Sequence, residues 1–469
     1  MSRFASFWAE RLGWEKHLKP FLYKPLPGRL NWSFTLGSLL LLLFVAQVVT
    51  GILLAAFYNP SPDHAYQSIG YIMTQLPAGA LVRGLHHYGA AAMVILAAAH
   101  LLSNLYYGAY KPPRELTWVG GVFLLLMVLG FGFTGYLLPW DQKAYWATVV
   151  GTNVAGDIPV IGGFLAGLLR GGPNVSGLTL TRFYSVHVLL LPALTALLIM
   201  IHMYLVRLHD ISYHGAPQGK DDKPYLFFPD HALKAAVAFL VVLGVMIILS
   251  LVSPPTQEAV ARTPDPTYLP RPEWYYMWLF KLLTYFEGGA ELIGSFVIPL
   301  GLLALLVALP FLSKSHSQEP SSRPLVLAVA GACLVAVVYL TAMGVAESKP
   351  YGQVVVVPAE KLSPQAIRGL RLWVEKDCAY CHQIMGRGGH RVGPDMSNIV
   401  AKGRTRKYLV DFIRNPQKTK PLSIMPKYDL NPQELEALGS FLLSLDFAGK
   451  GERVLTREQA LALTQQTDK

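Results

Sequence analysis

Long runs of apolar residues, separated by short polar stretches, dominate the first three quarters of the chain. Seven of these runs are long enough to cross a bilayer as a helix, which takes about 20 residues. They are predicted at residues 33–56, 81–106, 117–138, 183–206, 232–253, 292–312 and 324–345. The pattern therefore predicts a polytopic membrane protein of the all-α class with seven transmembrane helices.

The pattern changes after the seventh run. Residues 346–469 contain 19 Lys and Arg and 13 Asp and Glu, and no apolar run there is long enough to span a bilayer. We predict a linker over residues 346–364, a small all-α soluble domain over 365–448 and a polar peripheral tail over 449–469. The chain thus combines a membrane part with a soluble appendage.

The charged residues predict an orientation in the membrane. Only 15% of the residues are charged, and the formal net charge is +11. Before residue 346, 14 of the 21 Lys and Arg lie in segments on the side of the N-terminus and 7 on the opposite side. Because positive charge favours the cytoplasmic side, we expect a cytoplasmic N-terminus and a periplasmic soluble domain. Orientation and a basic soluble domain account for the net charge, and we expect no nucleic-acid partner. Three cysteines exclude a disulfide framework.

Four histidines lie within two predicted helices, His86 and His100 in the second and His187 and His202 in the fourth. A helix turns about 100° and rises about 1.5 Å per residue, so each helix carries two histidines on one face, about 21–22 Å apart. The two helices run parallel, which sets His86 level with His187 and His100 level with His202. A single buried histidine is usually a hydrogen-bonded core residue, but four ionisable groups at matched depths indicate function. We predict two b-type haems with bis-histidine ligation, one outer and one inner.

Glycines recur with the same period in two other helices. Gly37 and Gly51 in the first span and Gly121 and Gly135 in the third are each 14 residues apart, as are His86 and His100. Glycine allows a flat macrocycle to approach the backbone closely, although small residues also serve ordinary helix packing. The shared period favours packing against the porphyrins.

Arginines flank the histidines at both ends of these helices. Arg83 and Arg182 lie near the outer ends, and Arg114 and Arg207 near the inner ends. Their guanidinium groups could pair with haem propionates. The competing interpretation is that they only set the orientation of the helices, and the sequence leaves both open.

Several segments resemble the cytochrome b/b6 family of quinol-oxidising cytochrome bc complexes: RGLHHYGAAAMVILAAAH, KPPRELTWVGGVF, GFTGYLLPWDQKAYWATVV and LTRFYSVHVLLLPALTALLIMIH. The resemblance covers residues 1–215 and implies a four-helix diheme bundle. The 15-residue step from His187 to His202 is similar to the b6-type branch. In NWSFTLG, Thr35 stands where b6-type proteins usually carry a cysteine that binds an extra inner-side haem. We therefore expect that covalent extra haem to be absent.

The loop after the fifth span contains Pro272, Glu273, Trp274 and Tyr275, which resemble the PEWY motif of the same family. The motif belongs to the part that b6-type organisms make as a separate subunit IV, predicted here as a fused three-helix part over residues 216–345. The predicted topology sets the motif on the outer side, near the outer haem. Quinol oxidation requires removal of two protons, and a carboxylate beside aromatic rings can accept one. Glu273 is the candidate base, with an interfacial glutamate among belt aromatics as the alternative.

The resemblance also implies a facing wall for this quinol pocket. The segment Tyr136–Asp141, with Tyr145 and Trp146, is similar to that wall, which implies pocket roles for Pro139 and Trp140 and a catalytic role for Tyr136.

The soluble domain contains Cys378, Cys381 and His382 as C-x-x-C-H. Two thiols at this spacing can form thioethers to a haem, whose iron the adjacent histidine binds. Redox-active or zinc-binding C-x-x-C is the alternative, but the histidine and the periplasmic placement favour a covalent haem c. Downstream segments resemble small class I cytochromes c, in which Met425 is the expected sixth ligand, with Met396 and Met385 as competitors.

The resemblance further implies a mechanism and partners. One quinol electron passes to a Rieske iron–sulfur protein, and the other passes through the outer and inner b haems to a quinone. Protons are released outside and taken up inside. These 469 residues contain no C-x-H…C-x-x-H pair of Rieske ligands, so we expect that protein as a separate chain. Haem c would pass the Rieske electron to a soluble or membrane-bound cytochrome c-type acceptor. We also expect a homodimeric complex surrounded by lipid and quinone in a bacterial inner membrane.

Two other functions are compatible with paired haems in a membrane. One is a diheme membrane anchor of a dehydrogenase or hydrogenase, which would need neither PEWY nor the glycine pairs. The other is a passive electron relay without quinol chemistry. A visible spectrum combined with a quinol titration distinguishes them from a quinol:cytochrome c oxidoreductase.

Overall fold

The structure is a computed structural model that describes residues 3–11, 13–27, 30–212, 224–261, 271–286, 290–312, 317–346, 354–388, 393–420, 423, 425–449 and 451–465. These residues are mostly helical, with two short strands. The α-helices are α1 (Arg3–Arg11), α2 (Lys19–Leu22), α3 (Leu36–Ala55), α4 (Ala65–Thr74), α5 (Gly79–Tyr106), α6 (Glu115–Tyr136), α7 (Gln142–Gly156), α8 (Gly162–Arg170), α9 (Gly177–Ser185), α10 (Leu191–His209), α11 (Ala232–Val252), α12 (Met277–Leu283), α13 (Ile298–Leu312), α14 (Pro324–Ala346), α15 (Pro364–Glu375), α16 (Cys378–Cys381), α17 (Arg406–Arg414), α18 (Pro416–Thr419), α19 (Pro432–Ser444) and α20 (Arg457–Gln465). The strands are β1 (Val354–Pro358) and β2 (Glu452–Thr456).

The seven predicted transmembrane helices are confirmed within the described residues. The spans are Trp32–Ala55, Gly79–Tyr106, Glu115–Tyr136, Gly177–His209, Phe227–Val252, Ile293–Leu312 and Pro324–Ala346. Their sequences are apolar on every face, as in LGSLLLLLFVAQVVTGILLA of α3, which suits a helix surrounded by lipid and other helices. Short π-helical or 3₁₀ turns extend four of them, for example Val186–Leu190 between α9 and α10.

The described chain divides into two compact units. The first comprises Met1–Trp140, Ser176–Glu258 and Leu300–Val335. Within it, α5 packs against α3, α6 and α11, and α10 packs against α6. Close approach of α5 and α11 depends on Gly84, since a Cβ there would lie 2.5 Å from the Ser250 side chain. Small residues at such crossings are typical of membrane helix pairs.

The second unit comprises Asp141–Val175, Ala259–Pro299 and Ala336–Lys469. Its α7 packs against α8, and its C-terminal part forms a helical domain in which α15 packs against α19 and α20. The core of that domain includes Leu370, Trp373 and Phe441, each at most 2% exposed.

Parts of the predicted linker and tail form ordered structure instead. Val354–Pro358 pairs antiparallel with Glu452–Thr456, Val356 lying opposite Val454. Four consecutive valines favour a strand, and Val355, Val356 and Val357 are buried in the domain core. The following helix α20 buries Ala460 completely. The packed domain therefore extends beyond the predicted 365–448 boundaries on both sides.

Candidate functional site

The outer histidine pair brings two imidazole rings close together in the first unit, with an angle of 72° between their planes. His86 lies on α5, and His187 lies in the π turn between α9 and α10. Their ring centroids are 6.3 Å apart. Two imidazoles that bind one metal ion at about 2 Å, as histidine nitrogens bind zinc, would have ring centres roughly 6 Å apart. The spacing of the pair therefore fits one metal ion between the two rings.

A threonine hydroxyl orients each ring of this pair. Thr50 Oγ1 lies 3.0 Å from His86 Nδ1, and Thr134 Oγ1 lies 3.0 Å from His187 Nδ1. Each hydroxyl donates its own hydrogen to the carbonyl four residues earlier on its helix, at 2.8 Å in both cases. The hydroxyl oxygen therefore accepts from Nδ1–H, which leaves the lone pair of Nε2 on both histidines for a metal.

Each of the four periodic glycines faces one of the four histidines. The distances from an ideal Cβ to the histidine Cε1 are 3.2 Å for Gly51 and His86, 2.6 Å for Gly135 and His187, 3.2 Å for Gly37 and His100, and 3.4 Å for Gly121 and His202. Any larger side chain would fill the space beside the ring. Glycine at these positions therefore leaves room for the four imidazole rings, and packing of the glycines against porphyrins stays a prediction.

The inner pair is built from the other ends of α5 and α10. Asn104, one turn after His100, donates to the His100 carbonyl at 2.9 Å, and its amide lies 3.2 Å from the ring Nε2. His202 lies against Gly120 and Gly121 of α6, with its Nδ1 3.7 Å from an ideal Cβ at Gly120. The structure thus places all four predicted histidines on helices of one unit.

The π turn explains how a 15-residue step matches a 14-residue step. The Leu191 N–H donates to the Val186 carbonyl five residues earlier, so this turn contains one residue more than an α-helical turn. The extra residue is absorbed beside His187. His187 and His202 consequently share a helix face to within about 40°, as His86 and His100 do, rather than the 60° expected for an uninterrupted α-helix.

The flanking arginines make contacts with protein groups. Arg83 donates to the Pro255 carbonyl at 2.6 Å, and Arg114 donates to the Asp210 carbonyl at 2.9 Å. The Arg207 guanidinium lies 4.9 Å from the centre of the Phe227 ring. Arg182 lies on α9 with an exposed side chain. These contacts stabilise loops and helix ends, and propionate pairing stays a prediction.

The PEWY segment forms a turn in the second unit. Glu273 precedes the 3₁₀ turn Trp274–Tyr276, and its carbonyl accepts the Tyr276 N–H at 2.9 Å. The Glu273 side chain is 16% exposed and pairs with Lys143 at 3.0 Å. Burial raises the pKa of the Tyr275 phenol, with smaller contributions from Tyr276 and Glu273. Tyr275 is therefore a neutral hydrogen-bonding group near the carboxylate.

The start of helix α7 is hydrogen-bonded to the segment that precedes the PEWY motif in the sequence. Asp141 caps the helix by accepting the Ala144 N–H at 2.9 Å, and Gln142 N–H donates to the Ala259 carbonyl at 2.9 Å. Tyr136, Pro139 and Trp140 lie in the first unit, at the end of α6 and just after it. Their predicted roles in a quinol pocket stay predictions.

The C-x-x-C-H segment forms the short helix α16 followed by an extended residue. His382 Nδ1 donates to the Pro394 carbonyl at 2.8 Å, which leaves Nε2 for iron. A Cβ at Gly393 would lie 2.3 Å from His382 Cε1, so only glycine fits there. The Trp373 ring lies 6.0 Å from the histidine ring, and its buried indole N–H has no hydrogen-bond partner among the described residues. These features fit a cofactor with an acceptor group beside His382.

The three candidate methionines differ in their surroundings. Met385 is 41% exposed, whereas Met396 is 8% exposed and belongs to the domain core. Met425 is partly buried against that core, and its carbonyl accepts the Gln417 side-chain N–H at 2.7 Å. The exposure of Met385 disfavours it as a ligand, while Met425 and Met396 both stay candidates.

Comparisons with known proteins add a family to this geometry. Residues 21–210 match the family described as cytochrome b/b6/petB, residues 261–358 match cytochrome b (C-terminal)/b6/petD, and residues 366–446 match cytochrome c. A cytochrome bc complex cytochrome b subunit from Chlorobaculum thiosulfatiphilum is 38% identical over 301 residues, which are 62% of this chain and 69% of the relative. The chain belongs to the cytochrome b/b6 family.

Two further similarities support this assignment. Cytochrome b6 from Heliobacterium mobile is 43% identical over 189 residues, which are 40% of this chain and 89% of the relative. A solved structure titled hyperthermophilic respiratory Complex III matches with a TM-score of 0.65 and 28% identity, over 74% of this chain and 91% of that chain. The predicted family is therefore confirmed: the chain is a cytochrome b of a bc/b6f-type complex with a fused cytochrome c domain. Membership of the two families implies that the chain binds haem b and haem c.

Sequence reasoning missed three features of the site. They are the orienting hydroxyls of Thr50 and Thr134, the Glu273 partner Lys143, and the π turn at His187. The threonines carried a signal, since each directly precedes one of the periodic glycines. Lys143 carried none, because it lies 130 residues before Glu273.

Proposed function

We propose that this chain is the cytochrome b subunit of a quinol:cytochrome c oxidoreductase that oxidises quinol on the outer side of a bacterial inner membrane. The supporting observation is the half-buried Glu273 carboxylate in a chain whose membrane helices also carry four paired histidines. A passive relay or a dehydrogenase anchor needs the histidines but has no use for this carboxylate.

The proposed reaction converts a quinol to a quinone with release of two protons and two electrons. Glu273 accepts a proton from a quinol hydroxyl and passes it to the outer water. Tyr275, kept neutral by burial, can donate a hydrogen bond to a quinone or quinol oxygen. One electron goes to a Rieske iron–sulfur protein on a separate chain, and the other crosses the membrane to a quinone that takes up protons inside.

The cofactors are assigned to residues as follows. His86 and His187 hold the outer haem b, and His100 and His202 hold the inner haem b. Cys378, Cys381, His382 and Met425 hold the haem c. When bound, these haems supply one-electron carriers whose potentials depend on their axial ligands. The protein contributes ring orientation through Thr50 and Thr134 and a close glycine beside each histidine.

Thr35 bears on the number of covalent haems. Its side chain is buried, and its hydroxyl donates to the Trp32 carbonyl at 2.7 Å. It offers no thiol, so we expect one covalent haem per chain, the haem c. Pyridine haemochrome analysis after extraction with acidic acetone checks this, and a second covalent haem would refute it.

Quinol oxidation by the purified complex tests the proposed function. Glu273→Gln should slow quinol-dependent reduction of a cytochrome c by at least about tenfold, because a general base typically contributes more than that. The haem spectra should stay unchanged. Glu258→Gln, an exposed glutamate of the same loop region, is the control and should keep its rate. A Glu273→Gln enzyme with full activity would remove this residue from the mechanism.

A further inference from the structure

The charge partner of Glu273 lies on a separate element of the second unit. Lys143 Nζ is 3.0 Å from Glu273 Oε1, and the two side chains are 34% and 16% exposed. An exposed ion pair contributes little because water screens it. This pair is largely shielded from water, so each charge has a larger effect on the other.

Both ends of the pair are held by backbone structure. Lys143 is the second residue of α7, whose start is capped by Asp141 and bonded to Ala259. Glu273 is held by the turn in which its carbonyl accepts the Tyr276 N–H. The two backbones are therefore positioned independently of the pair, and only the flexible lysine side chain needs to move to open it.

Two ionisable groups of the second unit interact with Glu273: Lys143 pairs with its carboxylate, and Tyr275 lies close enough for the carboxylate charge to act on its phenol. Burial raises the pKa of Tyr275 above its ordinary value, so this phenol is uncharged at neutral pH. The Lys143 charge offsets part of the loss of water around the Glu273 carboxylate.

We propose that Lys143 is a positioning residue for quinol oxidation, which holds the Glu273 carboxylate turned towards α7 until quinol arrives. The inference rests on the proposed role of Glu273 as the base. When quinol gives up its proton, the quinol O–H bond breaks and an Oε–H bond forms on Glu273. The neutral carboxyl no longer attracts Lys143, and the pair opens. Loss of the proton to the outer water restores the carboxylate and closes the pair again.

The pH dependence of quinol oxidation at saturating quinol tests this proposal. Lys143→Gln removes a positive charge that favours the carboxylate form, so the acid limb of the profile should move to higher pH by about one unit. Lys143→Arg keeps the charge and should leave the limb in place. Both variants should show unchanged haem spectra.

Two outcomes would overturn the inference without touching the proposed function. Either the Lys143→Gln profile coincides with that of the unmodified enzyme, or its rate falls equally at all pH values while Glu273→Gln still slows the reaction. Full activity of Glu273→Gln would instead refute the proposed base and the inference together. If Lys143→Gln loses its haems, Lys143→Arg carries the test, because an acid limb displaced in that variant would contradict a role for the charge alone.

Discussion

The membrane histidine pairs and the haem c site use the same local devices on very different scaffolds. In the outer pair, threonine hydroxyls of neighbouring helices accept from the two Nδ1 atoms, whereas in the C-terminal domain the Pro394 carbonyl does so for His382. A glycine faces the histidine at both places, Gly135 for His187 and Gly393 for His382. In both regions a nearby acceptor, either a threonine hydroxyl or a backbone carbonyl, sets the tautomer of the histidine, and a glycine leaves space beside its ring.

The two regions differ in how their ligands are spread along the chain. The outer pair joins residues about a hundred positions apart, His86 and His187, on long helices. The proposed haem c site takes three groups from the contiguous Cys378–His382 segment and a fourth, a methionine, from farther along the chain. We expect a membrane haem to be lost with one of its histidines because no covalent bond retains it, whereas thioether bonds should keep haem c in place when its methionine ligand is removed. The following predictions test this difference.

The largest expected effect is loss of a membrane haem on removal of one histidine. His86→Ala should reduce the haem b content from two to one per haem c, since no covalent bond retains the group. Quinol oxidation should be lost with it. His87→Ala, at the exposed neighbouring position, is the control and should keep both. Pyridine haemochrome ratios give the measurement, and two b haems in His86→Ala would exclude His86 as a ligand.

Adding a side chain at a glycine that faces a histidine should have the next largest effect. In Gly135→Val even the Cβ would lie 2.6 Å from His187 Cε1, so the ring must move, and we expect the outer haem b to be lost or sharply depleted. Gly130→Ala on the same helix adds a methyl group at an ordinary contact distance of 3.8 Å from Leu191 and should keep the full spectrum. Equal haem content in the two variants would show that Gly135 serves helix packing alone.

In the C-terminal domain, removal of the sixth ligand should change a potential rather than release the haem. Met425→Ala should leave the covalent haem and both b haems in place but lower the haem c potential by on the order of 100 mV, because a thioether ligand raises it. Redox titration measures the shift. Met396→Ala is the matched comparison, and a large shift in that variant with none in Met425→Ala would assign the ligand to Met396.

Removal of an orienting hydroxyl should have a smaller effect. Thr50→Val keeps the side-chain shape but leaves His86 Nδ1 without its acceptor, and loss of such a partner typically lowers metal affinity by about 10–100-fold. A tightly bound haem should survive this loss, with an altered outer-haem potential and low-temperature spectrum. Thr35→Val, at a buried threonine elsewhere on the first span, should leave both unchanged. An unaltered outer haem in Thr50→Val would show that the hydroxyl does not orient the ring.

The smallest expected effect concerns an ion pair of the second unit. Lys420 Nζ lies 2.7 and 2.9 Å from the two Glu291 oxygens, and burial together with the Glu291 charge raises the pKa of the nearby Asp157. The pair is exposed and contributes at most about 1 kcal/mol. Glu291→Gln should change the ratio of the haem c reduction rates at low and high salt by less than about fivefold, which stopped-flow spectroscopy can resolve. The control Glu458→Gln should behave like the unmodified chain, and a strong effect of Glu291→Gln would indicate a tightly docked domain.

Much of the membrane part could be predicted because its signals are local. Apolar length predicts the seven spans, and helix periodicity predicts that His86 and His100 share a face with the spacing of Gly37 and Gly51. The structure of the predicted linker and tail could not be predicted in the same way. Val354–Pro358 and Glu452–Thr456 pair across almost a hundred residues, and neither segment alone indicates a partner.

The sequence by itself determined the family, the seven membrane helices and the candidate ligand residues, because a helix or a C-x-x-C-H segment places its own residues by backbone geometry alone. Only the tertiary structure decided which groups touch these residues. Thr50 reaches His86, Pro394 reaches His382 and Lys143 reaches Glu273 through the packing of separate elements. Such contacts depend on the relative position of the elements and on side-chain rotamers, which no local periodicity encodes, and they orient the groups that the proposed chemistry requires.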